Sequence, residues 1–384
     1  MKIIQYNDKR NASVDLCRAL SMLYIAGYWH MVPYSGGYPG FATILTECIK
    51  DIVLGAFAFS SGMVLHMDGD KLNFTTLLTF YQQRLIRIYP LYLLALGLFL
   101  KFHIINLKVF IYSAILISVF NGYSPYTLWF IPMIMAFYLA APILLRFSQQ
   151  IRLYLAASAG IAAFLIFIQM KTKGVDPRLI QYLPCFIAGI QWRTFRHLHE
   201  RPEAGKIRSM EIISLLLMIP SAYLYLQANH SSFTAAFSRI PIILSGAVFF
   251  HLMAERITVR FHPRIVFHGA YASFCVYLFH RPIVLFISSL YIPESPFFRL
   301  LYLMGLVLPI IFIASYYIQR IYDRQIRPLI LHAVSIQMES SPVVGRKSRT
   351  PAAGTQTTQK PSPLPPQSSS LMKNEPIIHQ QASA

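Results

Sequence analysis

Eleven long apolar runs divide this chain, at about residues 13–33, 45–66, 85–102, 105–121, 127–147, 152–170, 177–195, 210–228, 236–255, 268–290 and 298–319. Each approaches the roughly 20 residues that an α-helix needs to cross a bilayer. Backbone N–H and C=O groups find no water in hydrocarbon, so such runs must be helical to satisfy themselves. The expected fold is all-α, a polytopic integral membrane helical bundle of about ten transmembrane helices plus one re-entrant segment. A β-barrel would need short alternating strands. A soluble enzyme is excluded as well, because only 13% of the residues are charged, against about 25% in a soluble domain.

The net charge is +19, yet Lys and Arg sit mostly between apolar runs, where they orient a membrane protein. Nucleic acid is therefore not an expected partner; the lipid bilayer is. Basic loops fall at Arg146–Arg152, Arg193–Arg208, Arg256–Arg264 and after Arg320, whereas Gln227–Thr234 carries no Lys or Arg. This pattern agrees with a cytoplasmic C-terminus, and the first two runs agree with a cytoplasmic N-terminus. Eleven crossings cannot satisfy both ends, but ten can. Residues 105–121 are therefore expected to form a re-entrant or half-buried helix on the outer side. The location that follows is the cell inner membrane, multi-pass, with both termini cytoplasmic.

Residues 1–333 are expected to form one integral membrane domain. Residues 334–384, rich in Ser, Pro, Gln and Thr, are expected to be a disordered cytoplasmic tail. The cysteines Cys17, Cys48, Cys185 and Cys275 lie far apart within or beside apolar runs and read as small buried hydrophobes. No zinc, Walker or dinucleotide motif and no nucleophile elbow occurs. No metal and no permanently bound cofactor is expected.

Ionisable residues inside apolar runs are costly and therefore informative. The first run holds Asp15 and Arg18, neighbours at i, i+3 on one helical face. His30 follows Arg18 by twelve residues, about 18 Å along a straight α-helix and rotated by about 120°. A histidine at that depth can exchange a proton near neutral pH; it also fits an aromatic belt with Tyr28 and Trp29. Arg84 and Arg87 share a face at the start of the third run, suited to phosphate groups or to plain cytoplasmic anchoring. Ser61-Gly62 permits close helix approach. Ser273, Tyr277 and His280 form a polar stripe on one helical face, lining a cavity or joining a core network.

Together these residues resemble the acyltransferase 3 family of integral membrane acyltransferases. The family's opening Asp-x-x-Arg-Ala and its histidine are similar to Asp15-Leu16-Cys17-Arg18-Ala19 and Trp29-His30. Its aromatic Ser-Gly stretch is similar to Phe57 to Gly62, with Ala58 in one aromatic position. Its Arg-x-x-Arg-Ile-x-Pro matches Arg84, Arg87, Ile88 and Pro90. Trp129-Phe130 and the set Tyr277, Leu278, His280 and Pro282 complete the order, over about residues 10–325. Two departures stand out. The family's usual Arg-to-His spacing is eleven, one less than here, an excess that a π-bulge near Gly27 would absorb. A glutamate found in many members after the Trp is replaced by Ile131-Pro132-Met133.

The resemblance implies transfer of an acyl group, usually acetyl, from acyl-CoA to a carbohydrate hydroxyl. The acceptor would be a surface polysaccharide, a lipid-linked precursor or an exported glycan. Arg84 and Arg87 would hold the nucleotide. Asp15, Arg18 and His30 would be catalytic, with His30 as general base or as an acylated intermediate. Ser61, Trp129, Tyr277 and His280 are the candidates for substrate contact or oxyanion stabilisation. The rival reading is a transporter or flippase for a glycan or its precursor.

Overall fold

The computed structural model describes residues 11–67, 73–198, 204–227 and 235–340. The basic N-terminal residues, the loop at 228–234 and the expected tail from 341 onward lie outside the described residues. Every long element among those described is a helix.

Asn11 opens the first helix, its side-chain oxygen accepting the N–H groups of Ser13 and Val14, as an N-cap does. Helix α1 (Ala12–Met22) passes into a π-helix (Leu23–His30) and then α2 (Met31–Ser35). The π-bulge expected near Gly27 is thus present and spans that residue. Next come α3 (Ile44–Met63), α4 (Phe74–Lys101) and α5 (Leu107–Ala114). Helices α6 (Phe130–Phe147), α7 (Ile151–Thr172), α8 (Pro177–Leu198), α9 (Ala204–Gln227), α10 (Ala235–Ile257) and α11 (Pro263–Leu290) follow. The last stretch runs through α12 (Pro296–Tyr302), α13 (Leu308–Ile321) and α14 (Arg327–Ser340), with π-helical turns at Leu303–Val307 and Tyr322–Ile326. It extends into the segment expected to be tail.

Among the described residues, seven helices are long and apolar enough to cross a membrane. Three further stretches of similar length, α1 to α2, α3 and α8, carry the charged residues Asp15, Arg18, Lys50, Asp51, Arg178 and Arg193 within them. Helix α4 begins well before the apolar run that announces it. Asn73 caps it by accepting the Thr76 N–H at 2.7 Å, and the residues up to Gln83 continue it. Arg84 and Arg87 therefore lie inside the helix and not at its start, and the helix runs on through Pro90.

The segment between α4 and α6 starts and returns at the same end of the bundle. The Tyr81 hydroxyl in the first third of α4 donates to the Leu139 carbonyl midway along α6 at 2.9 Å. Between them α5 has only eight residues, about 12 Å of rise, against roughly 30 Å of hydrocarbon. It folds back along α4, where the hydroxyls of Tyr89 and Tyr92 donate to the carbonyls of Ala114 and Ser113 at 2.8 and 3.2 Å.

Helices α3 and α8 pack as parallel neighbours through glycine. A Cβ on Gly62 would overlap the Phe186 carbonyl, and one on Gly189 would overlap the Phe59 carbonyl. Small residues at such crossings let backbones touch, which is the main source of helix association in lipid.

Two outcomes follow. Accessibility tags placed after Ser124 and after Gln149 should report opposite faces of the membrane; tags on the same face would show that α6 does not cross it. Gly189→Ala should force α3 and α8 apart and cost about 1–3 kcal/mol, read as a lower Tm in detergent, and an unchanged Tm would show that the two backbones are not in contact.

Candidate active site

One cavity of about 630 Å³ runs along the inside of the bundle. Its walls come from α1, α3, α4, α6, α11 and the last helical stretch. At one end lie Asn11, Arg84, Arg87 and Arg327, and at the other Ile25, Phe57, Phe130 and Tyr277. Asp15, Arg18 and Ser61 line it between these ends. The sequence motifs on α1, α3 and α4, far apart in the chain, therefore share one cavity. They do so because Asp15 and Arg18 are a helical turn apart, as are Arg84 and Arg87.

The chemistry of the two ends differs. One end is basic. The Arg84 guanidinium sits 4.3 Å from the centre of the Phe80 ring and reaches the His66 carbonyl at 3.4 Å. Arg193 of α8 also meets the carbonyl of Leu65 and the His66 ring at this end. The far end is aromatic. Phe130 packs edge-on against both Phe57 and Tyr277, each with a centroid separation of 6.1 Å.

His30 and His280 lie beyond that aromatic layer. Along α11, His280 follows the cavity residue Tyr277 by three positions, roughly 4.5 Å. The two imidazoles are stacked, with centroids 4.7 Å apart and planes within 6° of each other. The π-turn explains the match. One extra residue in a wide turn removes most of the 120° by which an ideal α-helix would rotate His30 away from Arg18. Nδ1 of His280 lies 3.0 and 2.9 Å from the carbonyl oxygens of Val276 and Tyr277. Carbonyls only accept, so this nitrogen is assigned the proton. The assignment leaves the Nε2 lone pair uncommitted. That atom is buried without a hydrogen-bond partner, as is Nδ1 of His30. Arg281 fixes the same region from the far side, 4.2 Å from the centre of the Tyr126 ring and donating to the Tyr34 hydroxyl at 3.2 Å.

The remaining predicted residues separate. Tyr277 lines the cavity, but its hydroxyl donates to the Thr127 carbonyl and accepts the Phe130 N–H at 3.1 Å. Its one proton is thus committed to tying α11 to the start of α6. Ser273 likewise donates to the Ala270 carbonyl. Trp129 does not line the cavity; it stacks on Tyr182 and lies beneath the Arg178 guanidinium, 4.0 Å from the ring centre. Ser61 keeps its place on the cavity wall.

Several polar clusters escaped the sequence reading, among them two built on Asp51 and Asp323. Buried Asp51 accepts the hydroxyls of Tyr182 and Tyr225 at 3.2 and 3.1 Å, with Lys50 and Arg239 at 3.5 and 3.7 Å. Its signal was the run Glu47, Lys50, Asp51 at the head of an apolar helix. The other cluster joins Gln319, Asp323 and Arg327, spaced four apart in the last helical stretch, to Tyr271. Among the described residues, no group of three or more His, Cys, Asp or Glu is placed to hold a metal ion.

A family model described as an acyltransferase domain matches residues 11–318. No curated protein and no solved structure matches the chain.

Proposed function

The chain belongs to the acyltransferase 3 family, and from that premise we propose that it transfers an acyl group, acetyl by preference, from acyl-CoA to a hydroxyl of a cell-surface or exported carbohydrate. The observation that carries this reading is the stacked His30–His280 pair, one turn beyond the aromatic end of a cavity whose other end is lined by arginines.

In this reading the mouth faces the cytoplasm of a cell inner membrane, in a bundle of ten crossings that leaves α5 re-entrant on the outer side. Basic side chains from several helices gather at the mouth, as basic residues do on cytoplasmic faces. The nucleotide of acyl-CoA rests against Arg84 and Arg87, where guanidinium groups make strong paired bonds to phosphate. The pantetheine arm extends between Leu54, Ile88, Ile131 and Ile134, which line the cavity. The thioester then lies at the aromatic end, and the acceptor hydroxyl approaches from the histidine side.

His30 removes the proton from the acceptor hydroxyl as its oxygen attacks the thioester carbon. The C–O bond forms, and collapse of the tetrahedral intermediate breaks the C–S bond. The CoA thiolate leaves and takes up the proton held by His30. Packed against His30, His280 fixes the plane of the imidazole while its own proton stays on the backbone carbonyls. The tetrahedral oxyanion needs a donor whose proton is not already used. Tyr277 donates elsewhere, so the assignment passes to Ser61 on the cavity wall. Asp15 and Arg18 set the polar surface between mouth and thioester.

The test is acetyl transfer by membranes containing the protein, with the surface glycan of the cell as acceptor. His30→Ala should lower the rate by ~10²–10⁴-fold at equal protein level. Arg87→Ala should raise the KM for acetyl-CoA by about tenfold or more, the loss of a charge-assisted contact. Unchanged transfer in His30→Ala would remove the proposed base. Absence of acyl-CoA dependence across several acyl lengths would favour the transporter or flippase reading.

A further inference from the structure

We propose that Arg327, in the last helical stretch, is a phosphate-binding residue of the donor site, held in place by Asp323, Tyr271 and Gln319. This rests on the acyl-CoA reading above and extends it to a part of the chain that the motifs do not reach, since the family match ends at residue 318.

Arg327 lines the same cavity as Arg84 and Arg87 but comes from a different wall. The spacing of Gln319, Asp323 and Arg327 brings three polar residues towards one side of the helix. In an ideal α-helix, eight residues carry the last of them about 80° away from the first. The π-helical turn at Tyr322–Ile326 takes back much of that drift, because a wider turn advances less per residue. All three therefore line the cavity, together with Tyr271 of α11.

The hydrogen bonds in this cluster are distributed unevenly. Oδ2 of Asp323 accepts the Tyr271 hydroxyl at 2.9 Å and the Gln319 amide at 3.0 Å. Oδ1 faces the Arg327 Nη1 at 3.9 Å, beyond hydrogen-bond distance. The carboxylate thus attracts the guanidinium without using its N–H donors. Arg327 Nε is buried and has no hydrogen-bond partner. A guanidinium kept in position by charge, with its donor fork uncommitted, is ready for a bidentate oxyanion.

The nucleotide end of acyl-CoA offers such groups at separate places, a diphosphate and a ribose 3′-phosphate. One helix face carrying Arg84 and Arg87 can hold one of them. Arg327, across the mouth, can hold the other. Asp323, Tyr271 and Gln319 are positioning residues in this scheme: they act through Arg327.

Steady-state kinetics with three donors test the assignment: acetyl-CoA, acetyl-dephospho-CoA and S-acetylpantetheine, which lacks the nucleotide. Arg327→Gln should raise the KM for acetyl-CoA by about tenfold or more with little change in kcat. The same variant should use S-acetylpantetheine as the unaltered protein does. Arg327→Lys, which keeps the charge, should recover part of the KM, and Asp323→Asn should show a smaller KM rise of the same kind. If the Arg327→Gln penalty disappears with acetyl-dephospho-CoA, the partner is the 3′-phosphate; if it persists, the partner is the diphosphate.

An unchanged KM for acetyl-CoA in Arg327→Gln overturns the proposal. So does an equal loss with all three donors, which would make the residue structural. A failure of the donor reading looks different: the unaltered protein itself would show no acetyl-CoA turnover, or would use acetyl-CoA and S-acetylpantetheine with the same KM.

Discussion

The wide turn between Leu23 and His30 decides where the first helix aims its chemistry. Arg18 is on the cavity wall and His30 is stacked on His280, and both positions lie towards α11. A regular α-helix would separate these directions by about a third of a turn. The π-helix restores alignment with one extra residue, at a cost met by packing on both sides. Gly27 sits within this turn, where a Cβ would come within 3.1 Å of the Leu308 side chain. A π-turn recurs at Tyr322–Ile326, again where polar residues reach the cavity. These two π-segments lie where a polar group turns inward, whereas the third, Leu303–Val307, is wholly apolar.

Charges inside the bundle are placed where each has company. Asp51 is nearly fully buried, yet two tyrosine hydroxyls and two cations surround it. Glu255 is bracketed by Arg196 at 2.6 Å and His251 at 3.3 Å. Leaving any one of these carboxylates unpaired in such surroundings would be far more costly than the pair is favourable. Arg87 differs: it is exposed on the cavity side, and no carboxylate pairs with it among the described residues. A cation without a partner inside a membrane-protein cavity marks a place for a ligand. That contrast sets Arg87 apart from the structural charges.

Much of the site was legible in the sequence because a charge inside an apolar run is visible without a structure. Asp15, Arg18, Arg84 and Arg87 announce themselves in this way, and the one-residue excess before His30 was enough to expect a π-turn. The start of α4 was not legible from hydropathy, since Thr75, Thr76, Gln82 and Gln83 interrupt the apolar pattern although they continue the helix from its Asn73 cap. The Asp51 cluster was missed for a related reason. Charges at the head of a span read as solvent-facing, and only the packing of α8 and α9 brings Tyr182 and Tyr225 onto the carboxylate. The commitment of the Tyr277 proton was equally invisible, because its acceptor is a backbone carbonyl 150 residues away in sequence. Side-chain identity tells which group can donate; only the fold tells whether it already does.

The aromatic layer of Phe57, Phe130 and Tyr277 gives the proposed reaction its order. It stands between the arginine-lined cavity and the stacked histidine pair. A thioester reaching this layer leaves its nucleotide at the arginine end, so the donor is bound along its whole length before its reactive carbon meets His30. The layer itself is fixed from both sides, since the Tyr277 hydroxyl accepts the Phe130 N–H and donates to Thr127. Moving α11 relative to α6 would break both bonds at once, leaving buried backbone groups unpaired at a cost of about 1–3 kcal/mol each. A boundary held this firmly suits a reaction in which two substrates come from opposite sides and water must be kept from the thioester. In the proposed reaction the donor is selected at the arginine end and the acceptor beyond the histidines, so the two specificities would diverge independently on one scaffold.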